Sequence, residues 1–108
     1  MKTILIILSL VFLTGCVATV DQEALNVEVV MEEKATNLCV QACESYGGDL
    51  SDGPCLDGDI VNDWACDVAH DPREDVDNLE ENQCEEYRAG ISTHFVEVDE
   101  NCNLIVAS

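Results

Sequence analysis

Seven cysteines, two histidines and 23 carboxylates carry the reactive groups of this chain, so thiol and carboxylate chemistry are the first possibilities to weigh. Cys84 and His94, with Asp99 as a third member, make the set that a cysteine-dependent hydrolase or acyl transferase requires. In such a set a base lowers the thiol pKa and a carboxylate orients the base. Asp57, Asp59 and Asp63 place oxygens at alternate positions, as the start of a calcium loop does. The rest of that loop is missing, because Val68 stands where a bidentate glutamate belongs and Asn62 where the central glycine belongs. Cys39, Cys43, Cys55, Cys66, Cys84 and Cys102 could bind zinc or pair with one another. No Cys-x-x-Cys occurs among them, and the wide gaps after Cys39-x-x-x-Cys43 do not match zinc modules. His70-Asp71-Pro72-Arg73 sets a histidine beside one of the few basic residues; Arg73 is expected to pair with Glu74 or Asp77. No cofactor is expected.

Which reading of the cysteines holds depends on the compartment. Met1-Lys2-Thr3 carries one positive charge, and Ile4 to Leu13 is an apolar run broken only by Ser9. As a helix that run is ~15 Å long, about half the hydrocarbon thickness a spanning helix must cross, so it fits a secretory segment better than a membrane span. It ends in Leu13-Thr14-Gly15-Cys16, which resembles the lipobox of prokaryotic lipoproteins. The resemblance implies that residues 1–15 are removed and that Cys16 carries a diacylglyceryl group as the new N-terminus. Two acyl chains suffice for stable anchoring where one would not. By the same analogy, Val17 after the cysteine leans towards outer-membrane sorting where such a membrane exists. Cleavage after Ala18, giving a free soluble product, is the alternative. Both routes lead out of the cytoplasm, where six cysteines form three disulfides whose pairing the sequence leaves open.

The formal charge is −19, and loss of residues 1–15 removes one of only four basic residues. Phosphate backbones would be repelled, so no nucleic-acid partner is expected. The acidity suits either a saline setting, where the Debye length near 1 M salt is ~3 Å and self-repulsion is screened, or cation binding.

Several elements must position these groups. Residues 16–32 lack Gly and Pro and mix valines with acids; they read as an acidic tether that turns helical towards its end. Residues 33–108 form the cysteine-rich domain. Ala35, Leu38, Cys39, Ala42, Cys43 and Tyr46 recur at helical spacing, which predicts a helix over Thr36 to Tyr46 stopped by Gly47-Gly48. Asp49 to Asp63 reads as loop, and Trp64 to His70 as a half-buried strand ended by Asp71-Pro72, with Trp64 in the core beside Cys66. A second helix is expected from Leu79 to Ala89, capped by Asn78 with Glu81 and closed by Gly90. His94 to Val98, a turn at Asp99-Glu100-Asn101, and Cys102 to Val106 predict a hairpin. The expected fold is a small disulfide-rich α+β domain, two helices with a two- or three-stranded antiparallel sheet.

Two further resemblances bear on function. His94-Phe95-Val96-Glu97-Val98 resembles the histidine strand of transglutaminase-like proteins, His-x-Trp-x-Glu, and Gln83-Cys84 their nucleophile at a helix start. The match departs where Phe95-Val96 replaces x-Trp and where Cys84 precedes His94 closely instead of after a long segment. Gly53-Pro54-Cys55-Leu56, Trp64 through His70, and Asn82-Gln83-Cys84 look like small cysteine-rich exported proteins of archaea, a likeness spanning most of residues 39–105 that implies no mechanism. The first expectation is a membrane-anchored, non-enzymatic cell-envelope lipoprotein that binds an envelope protein or glycan, or serves a structural role. A cysteine enzyme using Cys84 and His94, and a calcium-dependent adhesion or sensing module, are the alternatives.

Overall fold

The computed structural model describes residues 26–108. Contacts divide the chain into two units, Met1–Val30 and Met31–Ser108. The expected signal segment 1–15, the expected lipidation site Cys16 and the first part of the expected tether lie outside the described residues.

Helix α1 occupies residues 26–44, so the end of the expected tether is already helical. Ala35, Cys39 and Cys43 recur every fourth residue and are fully buried, forming the apolar stripe along which α1 packs. Thr36 and Ser45 each return their hydroxyl to the carbonyl four residues back, at Glu32 and Gln41. The helix stops just before Gly47-Gly48.

Four strands follow: β1 (Cys55–Val61), β2 (Trp64–Val68), β3 (His94–Val98) and β4 (Leu104–Ala107). They form one sheet in the order β1-β2-β3-β4. The pairs β1/β2 and β3/β4 are antiparallel, but β2/β3 is parallel. The small disulfide-rich α+β class therefore stands, while the expected two or three antiparallel strands become a four-stranded mixed sheet. The parallel pair requires a long crossover, and residues 69–93 supply it. Strand β1 lies inside the stretch expected to be loop. Asp57, Gly58 and Asp59 are poor strand formers, yet pairing with β2 overrides them, with register irregularities on either side of Asp57.

Strand β2 is not half-buried as expected. It is interior, with Trp64, Ala65, Cys66 and Val68 all buried. One face of the sheet carries Trp64, Cys66, Val68, Val96 and Val98, which join Ala35, Cys39 and Cys43 of α1 in the core. Burying each of the three valines stabilises the fold by about 1.5–3 kcal/mol. The Cys39–Cys66 disulfide fastens α1 to that face, and Cys43–Cys102 ties the next helical turn to the β3–β4 loop. The opposite face carries Ala65, Asp67, Phe95 and Glu97, by strand alternation.

The crossover covers that opposite face. The expected continuous helix over 79–89 breaks up. Short 3₁₀ turns occupy Asp75–Asn78 and Glu80–Asn82, and helix α2 is confined to Glu85–Arg88. Leu79, Gln83 and Cys84 adopt extended backbone, because the Cys55–Cys84 disulfide draws Cys84 onto the sheet and resets the chain there. Helix capping by Asn78 with Glu81 is consequently replaced by a start at Cys84. The C-terminal end follows expectation: Gly90 takes φ +77°, with Gly90 N–H donating to Tyr87 O and Ile91 N–H to Glu86 O. In the β3–β4 hairpin the Asp99 carboxylate accepts the N–H groups of Asn101 and Asn103, each at 2.9 Å.

Candidate functional site

Strand register builds a row of side chains across the sheet face away from α1. Cys55 on β1 stands opposite Asp67 on β2, Asp67 opposite Glu97 on β3, and Glu97 opposite Val106 on β4. Neighbouring strands lie about 4.8 Å apart, so the two carboxyl groups are forced side by side. Above this row the crossover leaves a pocket of about 450 Å³, lined by Asp67, Glu97, Arg73, Arg88, Tyr87 and Phe95, with Ala65, Gln83 and Cys84 completing its walls. The volume falls within the ~300–1,000 Å³ of small-molecule sites.

The electrostatics follow from this packing. Burial pushes the Asp67 carboxyl up to about 8, and the adjacent Glu97 reinforces the shift through its charge and through the hydrogen bond it offers the protonated form. Asp77 adds to the effect and the Arg73 guanidinium opposes it. Asp67 thus holds its proton far more strongly than an ordinary carboxylic acid, beside a Glu97 whose Oε2 is 3.0 Å from Arg73 Nη1. Arg73 has further partners, since Nε also donates to Asn78 Oδ1 at 2.8 Å and Nη2 to the Asp77 carbonyl at 3.3 Å. Arg88 is held loosely, 2.7 Å from a Glu80 carboxylate that is 79% exposed. Tyr87 and Phe95 meet edge to face with centroids 5.2 Å apart and make an aromatic corner. A proton-retaining acid, a second carboxyl, two guanidiniums and an aromatic wall can hold a small polar molecule with directed hydrogen bonds.

Of the residues singled out from sequence, Cys84 and Arg73 line this pocket and the others lie elsewhere. Cys84 borders the pocket, but its sulfur is bonded to Cys55. His94 stacks on Trp64 at 4.6 Å between centroids, and Asp99 is engaged in its own turn. The cysteine-enzyme set is therefore not assembled: its thiol is covalently committed and its members serve three separate structures. Asp57 accepts the N–H of Asp59, while Asp63 accepts from the backbone and hydroxyl of Thr93 and adopts φ +72°. Among the described residues no three carboxylates, histidines or cysteines converge on a metal position, Asp57, Asp59 and Asp63 included. His70 and Arg73 diverge. His70 turns to Asp77, and Arg73 reaches Glu97 instead of Glu74 or the Asp77 carboxylate. Trp64 is in the core beside Cys66, as expected.

Sequence reasoning passed over Asp67 and Glu97 as a pair. A signal existed in Ala65-x-Asp67-x-Ala69, a carboxylate between small residues on one side of a buried strand. Its meaning required knowing that β3 runs parallel alongside. No family model, no curated protein and no solved structure matches this chain.

Proposed function

We propose that this chain is an exported lipoprotein, anchored by an acylated Cys16 to the outer face of a membrane, whose cysteine-rich domain is a non-enzymatic binding module. One observation carries the reading: the six cysteines of the domain are consumed as Cys39–Cys66, Cys43–Cys102 and Cys55–Cys84. Sulfur paired in this way belongs to an oxidising compartment and is scaffold, not nucleophile. The apolar segment and Leu13-Thr14-Gly15-Cys16 supply the route out and the anchor. The preformed pocket on the sheet supplies a place for a ligand, with an envelope glycan or protein as its source. The net charge of −19 disfavours nucleic acid as a partner.

Metabolic labelling with an alkyne-tagged fatty acid, followed by membrane fractionation, tests this reading. The wild-type chain should carry the label and sediment with membranes, whereas Cys16→Ser should lose the label and leave the membrane fraction. An unlabelled wild-type chain retained in the cytosol contradicts the proposal.

A further inference from the structure

We infer that the pocket takes a sugar acid, a polyhydroxylated ring bearing one carboxylate, with Arg88 gripping the carboxylate and the Asp67–Glu97 pair meeting the hydroxyls. The inference rests on reading the pocket as the ligand site of a binding module. Four observations converge on it. The chain has only four basic residues against 23 acidic ones, yet both of its arginines line this pocket. Both guanidiniums of a molecule that otherwise repels anions stand there, each beside a carboxylate, Arg73 by Glu97 and Arg88 by Glu80.

The two arginines also differ in a way that suits exchange. Arg73 has three partners, Asn78, Glu97 and the Asp77 carbonyl. Arg88, as exposed as Arg73, has only one ion-pair partner, a still more exposed Glu80, in a contact of little net strength. A ligand carboxylate can replace Glu80 with the paired hydrogen bonds a guanidinium offers.

Tyr87 and Phe95 provide a ring-sized apolar wall for the C–H face of a sugar. Beside them the proton-retaining Asp67 carboxyl and the adjacent Glu97 carboxyl offer both a donor and acceptors, which matches vicinal hydroxyls that each donate and accept. An amine ligand fits less well, because it would face two guanidiniums, while of the two carboxyls Glu97 is already paired with Arg73 and Asp67 is pushed up to about 8.

The same geometry makes binding pH-dependent. Asp67 is faced by Glu97 on β3, by Arg73 and Asp77 on the crossover, and by the non-titrating Cys55–Cys84 bridge; Tyr87 and Arg88 close the pocket from α2. Above about pH 8 Asp67 ionises beside Glu97, and the added negative charge opposes an anionic ligand.

Titration calorimetry on the full chain, detergent-extracted with its bridges intact, provides the test. The probes are methyl glucuronide, its neutral counterpart methyl glucoside, glucosamine and an oligouronide. At pH 6.5 the glucuronide should bind about tenfold more tightly than the glucoside, the scale of one charge-assisted contact, and the preference should shrink at pH 9. Arg88→Gln, at an exposed position and with an unchanged near-UV spectrum, should abolish the preference; Glu80→Gln should enlarge it by removing the competing carboxylate. Tighter binding of the oligouronide than of the monomer identifies a polysaccharide source, and equal binding a free sugar acid. Equal affinity for glucuronide and glucoside, or glucosamine binding that strengthens towards pH 9, overturns the sugar-acid inference while leaving the pocket as a ligand site. Silence of every probe overturns it outright. The anchored-module reading is judged separately by the fatty-acid labelling, which involves no sugar.

Discussion

His70 and Asp77 form a single hydrogen-bonded unit that closes the start of the crossover. The Asp77 carboxylate, 3% exposed, lies 3.0 Å from His70 Nδ1 and also accepts the backbone N–H groups of His70 and Glu74. Burial by itself would push the Asp77 carboxyl up, but these donors outweigh it and hold the group below its usual range. The hydrogen bond to Asp77 and the charges of Asp77, Glu74 and Glu100 raise His70 against a smaller desolvation effect.

The pair therefore stabilises the fold within a defined window. Asp77, depressed, contributes above the ordinary value of 3.8 and loses its contribution as pH falls through its folded pKa. His70, raised, contributes fully below 6.5 and loses its contribution as pH rises through its folded pKa. Urea unfolding of wild type and Asp77→Asn across pH 4–9 should show the largest difference between about pH 4 and 6.5, shrinking at higher pH. A difference independent of pH would remove the histidine from the account.

Gly53 packs against the same carboxylate. Its φ is +68°, and a Cβ there would collide with Asp77 Oδ1 and press on the Val68 carbonyl. Gly53→Ala should cost about 1–3 kcal/mol, combining left-handed backbone strain with displacement of Asp77. Thermal melting of the variant checks this.

Asp67 behaves in the opposite sense to Asp77. Its pKa is raised to about 8, so the folded state retains a proton that the unfolded chain releases near 3.8, and stability falls as pH rises between those values. Asp67→Asn keeps a donor towards Glu97 and carries no charge. It should stabilise the domain by on the order of 2 kcal/mol at pH 8–9 and make little difference near pH 4. Melting temperatures at the two pH values test the claim; equal shifts at both would contradict it.

The disulfides should contribute unequally. Cys43–Cys102 closes the longest loop, with 59 residues of separation against 27 and 29 for the other two. Loop-closure entropy gives about 4.2 kcal/mol for the longest loop and about 3.6 kcal/mol for each of the others. Paired Cys→Ala variants of each bridge, compared by denaturant midpoint, should rank accordingly. Access should rank differently: Cys39 and Cys66 are both fully buried, whereas Cys55 and Cys102 are half-buried. Mild reductant should open Cys39–Cys66 last.

The parts of this fold legible from sequence were those set by local spacing. The four-residue recurrence of Ala35, Cys39 and Cys43 marked the buried stripe of α1, and the alternation around Val96 and Val98 marked the hairpin. Gly90 marked a helix end because its left-handed backbone is a local requirement. Features decided by distant partners were not legible. Strand β1 exists because β2 pairs with a segment whose Asp57-Gly58-Asp59 reads as loop. Helix 79–89 breaks because Cys84 is bonded to Cys55, a link no periodicity announces. The Asp67–Glu97 pair needs the parallel register of β2 and β3, which arises only once residues 69–93 cross over.

Non-reducing peptide mapping of the membrane-extracted protein, with thiol titration of the same sample, tests most directly whether the sulfurs are scaffold. The expected result is Cys39–Cys66, Cys43–Cys102 and Cys55–Cys84 with no titratable thiol among them. A reactive Cys84, or a domain recovered folded with its six thiols reduced, would contradict it.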